Sequence, residues 1–527
     1  MLLRAGNDEV ARYIALSHCW GGHVPVQTTK DTLQNHFEAV NLDSSSQTFL
    51  DAAQVCRDLG IRYLWIDSLC IVQDDEDDWA REAGKMSEVY RNAILTISAE
   101  GARNAKEGLF KQPETTICEQ KNIDWKTSSG DPITLHVRLR GQSDHGPEAI
   151  GHFAHSSSET LHSELSDRAW VLQERLLSTR NIHFFSEEMA WSCCSVSRCE
   201  CRIDADVTDM SVFKKLNVES ASRPLIVEEM HREWTNLVME FTRRKLTKIK
   251  DRLPAISGLA KLCGEVTLSK YYAGLFDHDL EYGLLWMSDY HAQSFLIYRN
   301  PKRPHMPTWS WASTTGPVKY FDRQRNQFER RTHGATVEPR FKVLEAEVSS
   351  RGSNLYSDVD RGMLKIKGQL LRVHYDKTKC HFRPWDETLA SHMLPADIPF
   401  STADLHTQDA TTAEVSHMFP STDPSKNQTL QLPQKAKTRQ PQIIPDVLAE
   451  PPDMARTNEW YFLRAARYIP GGIYAYESSE NVCLLLERLG AEAGMGLFKR
   501  RCFVLYGFPS KPFWEEEWAP TQMLGIV

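Results

Sequence analysis

Three short apolar runs, separated by two stretches of helical periodicity, organise the first hundred residues of this chain. The runs are Tyr13-Ile14-Ala15-Leu16-Ser17, Tyr63-Leu64-Trp65-Ile66-Asp67 and Ile94-Leu95-Thr96-Ile97-Ser98. Between the first two, Phe49, Ala52, Ala53, Cys56 and Leu59 recur on one helical face. Ser46 or Thr48 can cap that helix, and Gly60 can close it in a left-handed conformation. A second helix is predicted from about Asp77 to Asn92. Strand, helix, strand, helix, strand is the order of a doubly wound parallel sheet, so the predicted fold class is α/β. The second run is apolar almost throughout, the pattern of a strand buried on both faces.

At 527 residues the chain exceeds what one hydrophobic core usually serves. The α/β domain is expected over 1–203, with a polar, irregular insertion at about 112–166. A helical region is expected over 204–341. From 342 to 527 the alternation in Met363-Leu364-Lys365-Ile366-Lys367 signals a β-rich region. Within it, about 400–455 is rich in Thr, Ser, Gln and Pro and reads as a disordered loop.

The formal charge is -8, which argues against a nucleic-acid partner. No run approaches the roughly 20 apolar residues of a membrane span, and the start lacks the layout of a secretory signal. The 12 cysteines are scattered, several inside apolar runs, as expected of reduced thiols in a cytoplasmic protein. Cys193, Cys194, Cys199 and Cys201 lie close together, but their spacing is not a standard zinc knuckle, and no metal is expected.

Glu82 stands out by helical phase. With Trp79 at 0° and roughly 100° per residue, Met86 falls near 340°, Tyr90 near 20° and Glu82 near 300°, whereas Glu88 points away near 180°. A carboxylate on the apolar stripe needs an ion pair, a hydrogen-bond network or a cleft. Arg168 and Arg175 are the candidate partners if the pair is structural; otherwise Glu82 is a catalytic or ligand-orienting acid. Ser17 and His18 end the first strand, beside Trp20, Gly21 and Gly22, whose glycines allow close backbone approach to a ligand. Asp67 ends the second strand, as a cap for the loop 68–73 or as a wall of a site, because ligands of parallel sheets sit beyond the strands' carboxyl ends. The run Asp74-Asp75-Glu76-Asp77-Asp78 lacks calcium-loop spacing and reads as an N-terminal helix cap. Neither a glycine-rich dinucleotide fingerprint nor a phosphate-loop sequence is present.

Four stretches, read together, resemble the fungal heterokaryon-incompatibility (HET) domain: residues 13–22 (YIALSHCWGG), 64–73 (LWIDSLCIVQ), 79–93 (WAREAGKMSEVYRNA) and 168–178 (RAWVLQERLLS). Downstream, 251–260, 272–276 and 307–313 resemble the region that follows this domain in large fungal members. The resemblance implies a role in non-self recognition and programmed cell death. It also implies a flavodoxin- or Toll/interleukin-receptor (TIR)-like sheet, and some TIR-type domains cleave NAD with a helix-borne glutamate. On that basis Glu82 is the matching acid, Ser17 and Trp20 line the ribose or nicotinamide side, and Asp67 supports the floor. His18, Gly21, Gln73, Arg168 and Arg175 complete the candidate ligand-binding set. NAD would be substrate and no cofactor is implied; a protein partner or self-association is expected. Two alternatives stand beside enzymatic action: a non-catalytic oligomerising signalling module, and a family member with no incompatibility role.

Overall fold

A computed structural model of the chain describes residues 10–111 (without 23–25 and 44–45), 120–126, 130–138, 163–207 (without 187 and 201), 212–215, 224–288, 306–320, 336–376 (without 351–353 and 358), 381–384, 442–445, 460–469, 480–492, 495–506 and 522–526. The loop expected at about 400–455 lies outside the described residues, except for a strand at Gln442–Pro445. The chain divides into two compact units: residues 1–283 with 303–306 and 347–362, and residues 284–302 with 307–346 and 363–527.

The first unit is built on β1 (Tyr13–Ser17), α1 (Leu33–Glu38), α2 (Gln47–Asp58), β2 (Tyr63–Ile66), α3 (Asp67–Cys70), α4 (Glu76–Asn92) and β3 (Leu95–Ser98). There follow β4 (Gln120–Lys126), β5 (Pro132–Arg138), α5 (Ala169–Leu177), β6 (Arg180–Phe184), β7 (Met189–Cys193), β8 (Ser197–Cys199) and β9 (Arg202–Val207). One sheet runs in the order β2-β1-β3-β6-β7-β8-β9. The pairs β1–β2, β1–β3 and β3–β6 are parallel, and β6 to β9 extend the sheet antiparallel. The expected parallel sheet is therefore the first half of a mixed one.

The sheet is doubly wound because the residues of β1 alternate between two apolar neighbours. Ile14 and Leu16 pack with Phe49, Ala52 and Cys56 of α2, while Ala15 packs with Met86 and Tyr90 of α4. Ile14, Ala15 and Leu16 are all fully buried. The strand expected to be buried on both faces was the second run. In the structure β2 lies at the sheet edge, so Tyr63, Leu64 and Trp65 are only half-buried, and central β1 takes that environment. β2 also stops at Ile66, and Asp67 opens α3.

The helix ends are locally encoded. Gly60 follows α2 with φ of 67°, a conformation that costs other residues free energy. Asp75 caps α4 by accepting the Asp77 and Asp78 amides at 3.1 and 3.2 Å, as the acidic run predicts. Ser46 occupies the N-cap position of α2 without a capping bond, a departure from expectation. Thr48 instead accepts the Gly108 amide at 3.2 Å, tying α2 to the loop after β3. The segment read as an irregular insertion contains the β4–β5 hairpin; its residues 139–162 lie outside the described set.

Downstream come α6 (Val212–Lys215), α7 (Pro224–Arg243) and α8 (Ser257–Thr267). In the second unit, the alternation of 363–367 becomes the strand Arg361–Gly368, with Leu364 and Ile366 fully buried. Long antiparallel strands at Trp460–Ile469, Glu480–Glu492 and Met495–Tyr506 pair in sequence. Trp286, Trp309 and Trp311 are buried in the same unit, where the Trp286 indole donates to the Trp309 carbonyl at 2.8 Å.

Candidate functional site

The chain leaves β1 for β2 on one side of it and returns to β3 on the other, which makes β1 the switch point of the parallel half. At such a point the carboxyl ends of the strands bound a crevice. Here those ends carry Ser17 and His18 from β1, Asp67 after β2, Ser98 and Glu100 from β3, and His183 from β6.

The first cluster centres on Glu174 of α5. Ser17 Oγ donates to Glu174 Oε2 at 2.5 Å, and the Tyr90 hydroxyl is a further partner of that carboxyl. Burial pushes the Glu174 carboxyl above the usual carboxylate range; the Arg168 charge and the Ser17 bond pull it down, and the Asp67 charge adds to the rise. Arg168 precedes α5 and donates from Nη1 to the His18 carbonyl. Asp67 Oδ2 accepts the Trp20 indole N–H at 3.2 Å, and Oδ1 accepts the Ser68 amide at 2.7 Å. Asp67 thus accepts an amide at the start of its loop, the capping alternative, and it also orients the Trp20 ring. His18 Nδ1 lies 3.7 Å from Asp67 Oδ1, and neither His18 ring nitrogen has a hydrogen-bond partner among the described residues. Burial pushes its pKa down to about 4 against the pull of Asp67, so the imidazole is neutral at pH 7.

Gln73 turns back on its own loop, donating to the carbonyls of Asp67 at 3.1 Å and Ile71 at 2.9 Å. Gly21 is a glycine for a different reason from the one expected. Its φ is 64°, and a Cβ there would lie 2.2 Å from the Arg103 carbonyl oxygen, so the close approach is to the chain itself.

Glu82 is 22% exposed in its side chain, against 61% for Glu88, consistent with the difference in helical phase. The arginines expected as its structural partners are engaged elsewhere. Glu82 instead pairs within α4, with Lys85 Nζ at 3.0 Å and Arg81 Nε at 3.7 Å. Burial pushes the Cys70 thiol up to about 11, and the charges of both Asp67 and Glu82 add to that shift. The two carboxylates therefore act on one thiol just beyond β2.

Arg175 belongs to a second network. It bonds Glu100 Oε1 through Nη2 and Ser166 Oγ at 2.8 Å. Glu100 also meets His183 Nδ1 at 3.1 Å and the hydroxyls of Ser163 and Ser166. Glu100 is buried, yet Arg175 and these bonds outweigh desolvation and hold its carboxyl far below the usual range. Sequence reasoning missed Glu100 and Glu174. Glu100 lies just past β3, where the rule that singled out Asp67 applies equally. Glu174 lies among Val171, Leu172, Leu176 and Leu177 on a helix buried nearly all round, so phase does not isolate it.

Cys193 and Cys194 are free thiols; the Cys199 side chain and Cys201 lie outside the described residues. Among the described residues no group of three or more His, Cys, Asp or Glu side chains is placed to hold a metal ion. No helix among them is long and apolar enough to cross a membrane.

No curated protein and no solved structure matches the chain. A family model does: the one described as Heterokaryon incompatibility protein (HET) matches residues 13–174. That span runs from the first residue of β1 to the carboxylate that Ser17 contacts, and it includes Glu82, Asp67 and Arg168. Residues 13–174 therefore carry the likeness to the heterokaryon incompatibility (HET) domain.

Proposed function

We propose that this HET domain acts in non-self recognition and programmed cell death by cleaving NAD at its nicotinamide–ribose bond, with Glu82 as the catalytic carboxylate. The observation that carries the reading is the placement of Glu82. It is a carboxylate on the inward-leaning side of α4, still reachable by solvent, whose charge falls on the same thiol as that of Asp67 at the strand end. Scission of the glycosidic bond builds positive charge on the ribose, which a carboxylate beside it stabilises. Nicotinamide departs with the bonding electron pair, water adds to the ribose carbon, and a proton is released with ADP-ribose. Trp20, fixed through its indole N–H to Asp67, offers a ring to stack on the ligand. Ser17 is buried and committed to Glu174, so it supports the edge from beneath.

A second reading, a non-catalytic module that signals by self-association or through a protein partner, is favoured by the Glu82 ion pairs. Both are made within one helix and need no ligand. The purified full chain assayed for NAD consumption beside Glu82→Gln separates the two. Catalysis predicts nicotinamide release by the wild type and a loss of about 100-fold or more in the variant. Cell toxicity that persists unchanged in Glu82→Gln, or a wild type inert even when clustered on a scaffold, rejects the enzyme and leaves the signalling module.

A further inference from the structure

His18 is a buried polar side chain that the proposed reaction leaves unused. It follows the last residue of β1 and is 3% exposed. Neither Nδ1 nor Nε2 has a hydrogen-bond partner among the described residues. Burying a polar group unpaired costs free energy, and folded proteins pair nearly all of them. The exception here stands at the carboxyl end of a parallel strand, where ligands of such sheets bind.

The neighbours of the ring show which bond is missing. Phe49 of α2 stands perpendicular to it, with centroids 4.9 Å apart and planes at 88°. Arg168 bonds the His18 carbonyl and so holds the backbone. Neither contact is a hydrogen bond to a ring nitrogen. Nδ1 faces Asp67 Oδ1 at 3.7 Å, just beyond hydrogen-bond reach. That carboxylate accepts the Ser68 amide through Oδ1 at 2.7 Å and the Trp20 indole through Oδ2 at 3.2 Å. Each carboxylate oxygen can accept a second bond, so a donor and an acceptor stand one small displacement apart. Trp20 and Asp67 are partly exposed and His18 is not, so the three lead from the accessible edge of the site to the base of the sheet.

We propose that His18 is a positioning residue for a dinucleotide: as the nicotinamide ring settles against Trp20, the Asp67 carboxylate closes on the Nδ1–H and locks the indole over the ligand. The inference rests on the NAD reading of the site. The imidazole acts through Asp67 and touches no reacting atom. In the free chain the donor is unpaired and binding pairs it, so part of the cost of burying it returns as affinity.

Substitution separates the ring from its Nδ1 donor. Asparagine carries an N–H on the atom bonded to Cγ, where Nδ1 stands; glutamine carries it farther out, toward Nε2; phenylalanine keeps the ring and loses both nitrogens. The test is calorimetric titration of the purified full chain with NAD, in the Glu82→Gln background so that the ligand is not consumed. His18→Phe and His18→Gln are each expected to weaken NAD about tenfold, the worth of a hydrogen bond to a charged group, while His18→Asn stays within about threefold. Circular dichroism checks the folding of each variant, and if His18→Phe fails to fold, the contrast between glutamine and asparagine decides. A ring that only packs on Phe49 gives the reverse order, with His18→Phe unchanged and His18→Asn weakened. That order, or one affinity for all variants, overturns the proposal. Absence of NAD binding overturns it together with the NAD reading. The expected order without nicotinamide release by the chain that retains Glu82 rejects cleavage and keeps the positioning role. Nicotinamide release by His18→Phe with unchanged kcat and KM rejects the positioning role and keeps cleavage.

Discussion

His18 shows how a single buried group sets a pH dependence. The folded protein holds the imidazole neutral down to about pH 4, whereas the unfolded chain takes up a proton near pH 6.5. Below 6.5 the unfolded state therefore binds more protons, and stability falls as pH drops from 6.5 to 4. One histidine contributes a slope of up to about 1.4 kcal/mol per pH unit. His183 shifts in the same direction, to about 4, for the same main cause, burial. Urea unfolding across this window should therefore show a shallower slope for His18→Gln than for wild type; equal slopes would remove His18 from the account. Glu100 adds its share at lower pH, since its depressed carboxyl favours the fold until the unfolded carboxylate begins to protonate. Glu174, shifted upward, acts in the opposite sense. Arg175→Met should destabilise by about 3–5 kcal/mol in chemical denaturation, because it leaves the fully buried Glu100 charge without its arginine.

At the scale of elements, α4 is held at its start by a cap and along its length by a tight helix contact. Asp75→Ala removes the acceptor for two amides and should lower the thermal unfolding midpoint of the full chain. Gly258 of α8 packs so closely on α4 that a Cβ there would lie 2.2 Å from Ser87 Cβ and 2.8 Å from Gln173 Oε1. Gly258 also donates its amide to that Gln173 oxygen at 2.7 Å, so the junction of α4, α5 and α8 cannot simply open. Gly258→Ala should lower stability by about 1–3 kcal/mol, and Ser87→Gly should recover part of the loss. Thermal unfolding of the two single variants and the double variant checks this, and additive effects would refute the contact.

At the scale of the whole molecule, the HET match and the folded sheet do not share a boundary. The match ends at Glu174, inside α5, yet β3 pairs onward with β6, and β6 supplies the His183 that bonds Glu100. A fragment ending at Glu174 exposes the unpaired edge of β3 and truncates the helix that carries the buried carboxylate. It should lack the cooperative thermal unfolding of the full chain; a sharp transition in the fragment would show that the matched segment folds by itself.

What the sequence determined by itself is local. Period, capping residues and glycines placed β1, α2, β2, α4 and β3 to within a residue or two, since apolar spacing and hydrogen-bonding ends are short-range properties. The same phase argument separated Glu82 from Glu88. Which strand is central, which arginine meets which acid, and which carboxylates are buried depend on residues far apart in the chain. Ser17 and Glu174 are 157 positions apart, and His183 and Glu100 are 83. No one-dimensional pattern carries such pairings, because they arise only when the sheet order β2-β1-β3-β6 brings the strand ends together. Tertiary structure therefore decided that Arg168 and Arg175 serve His18 and Glu100, and left Glu82 with the neighbours of its own helix.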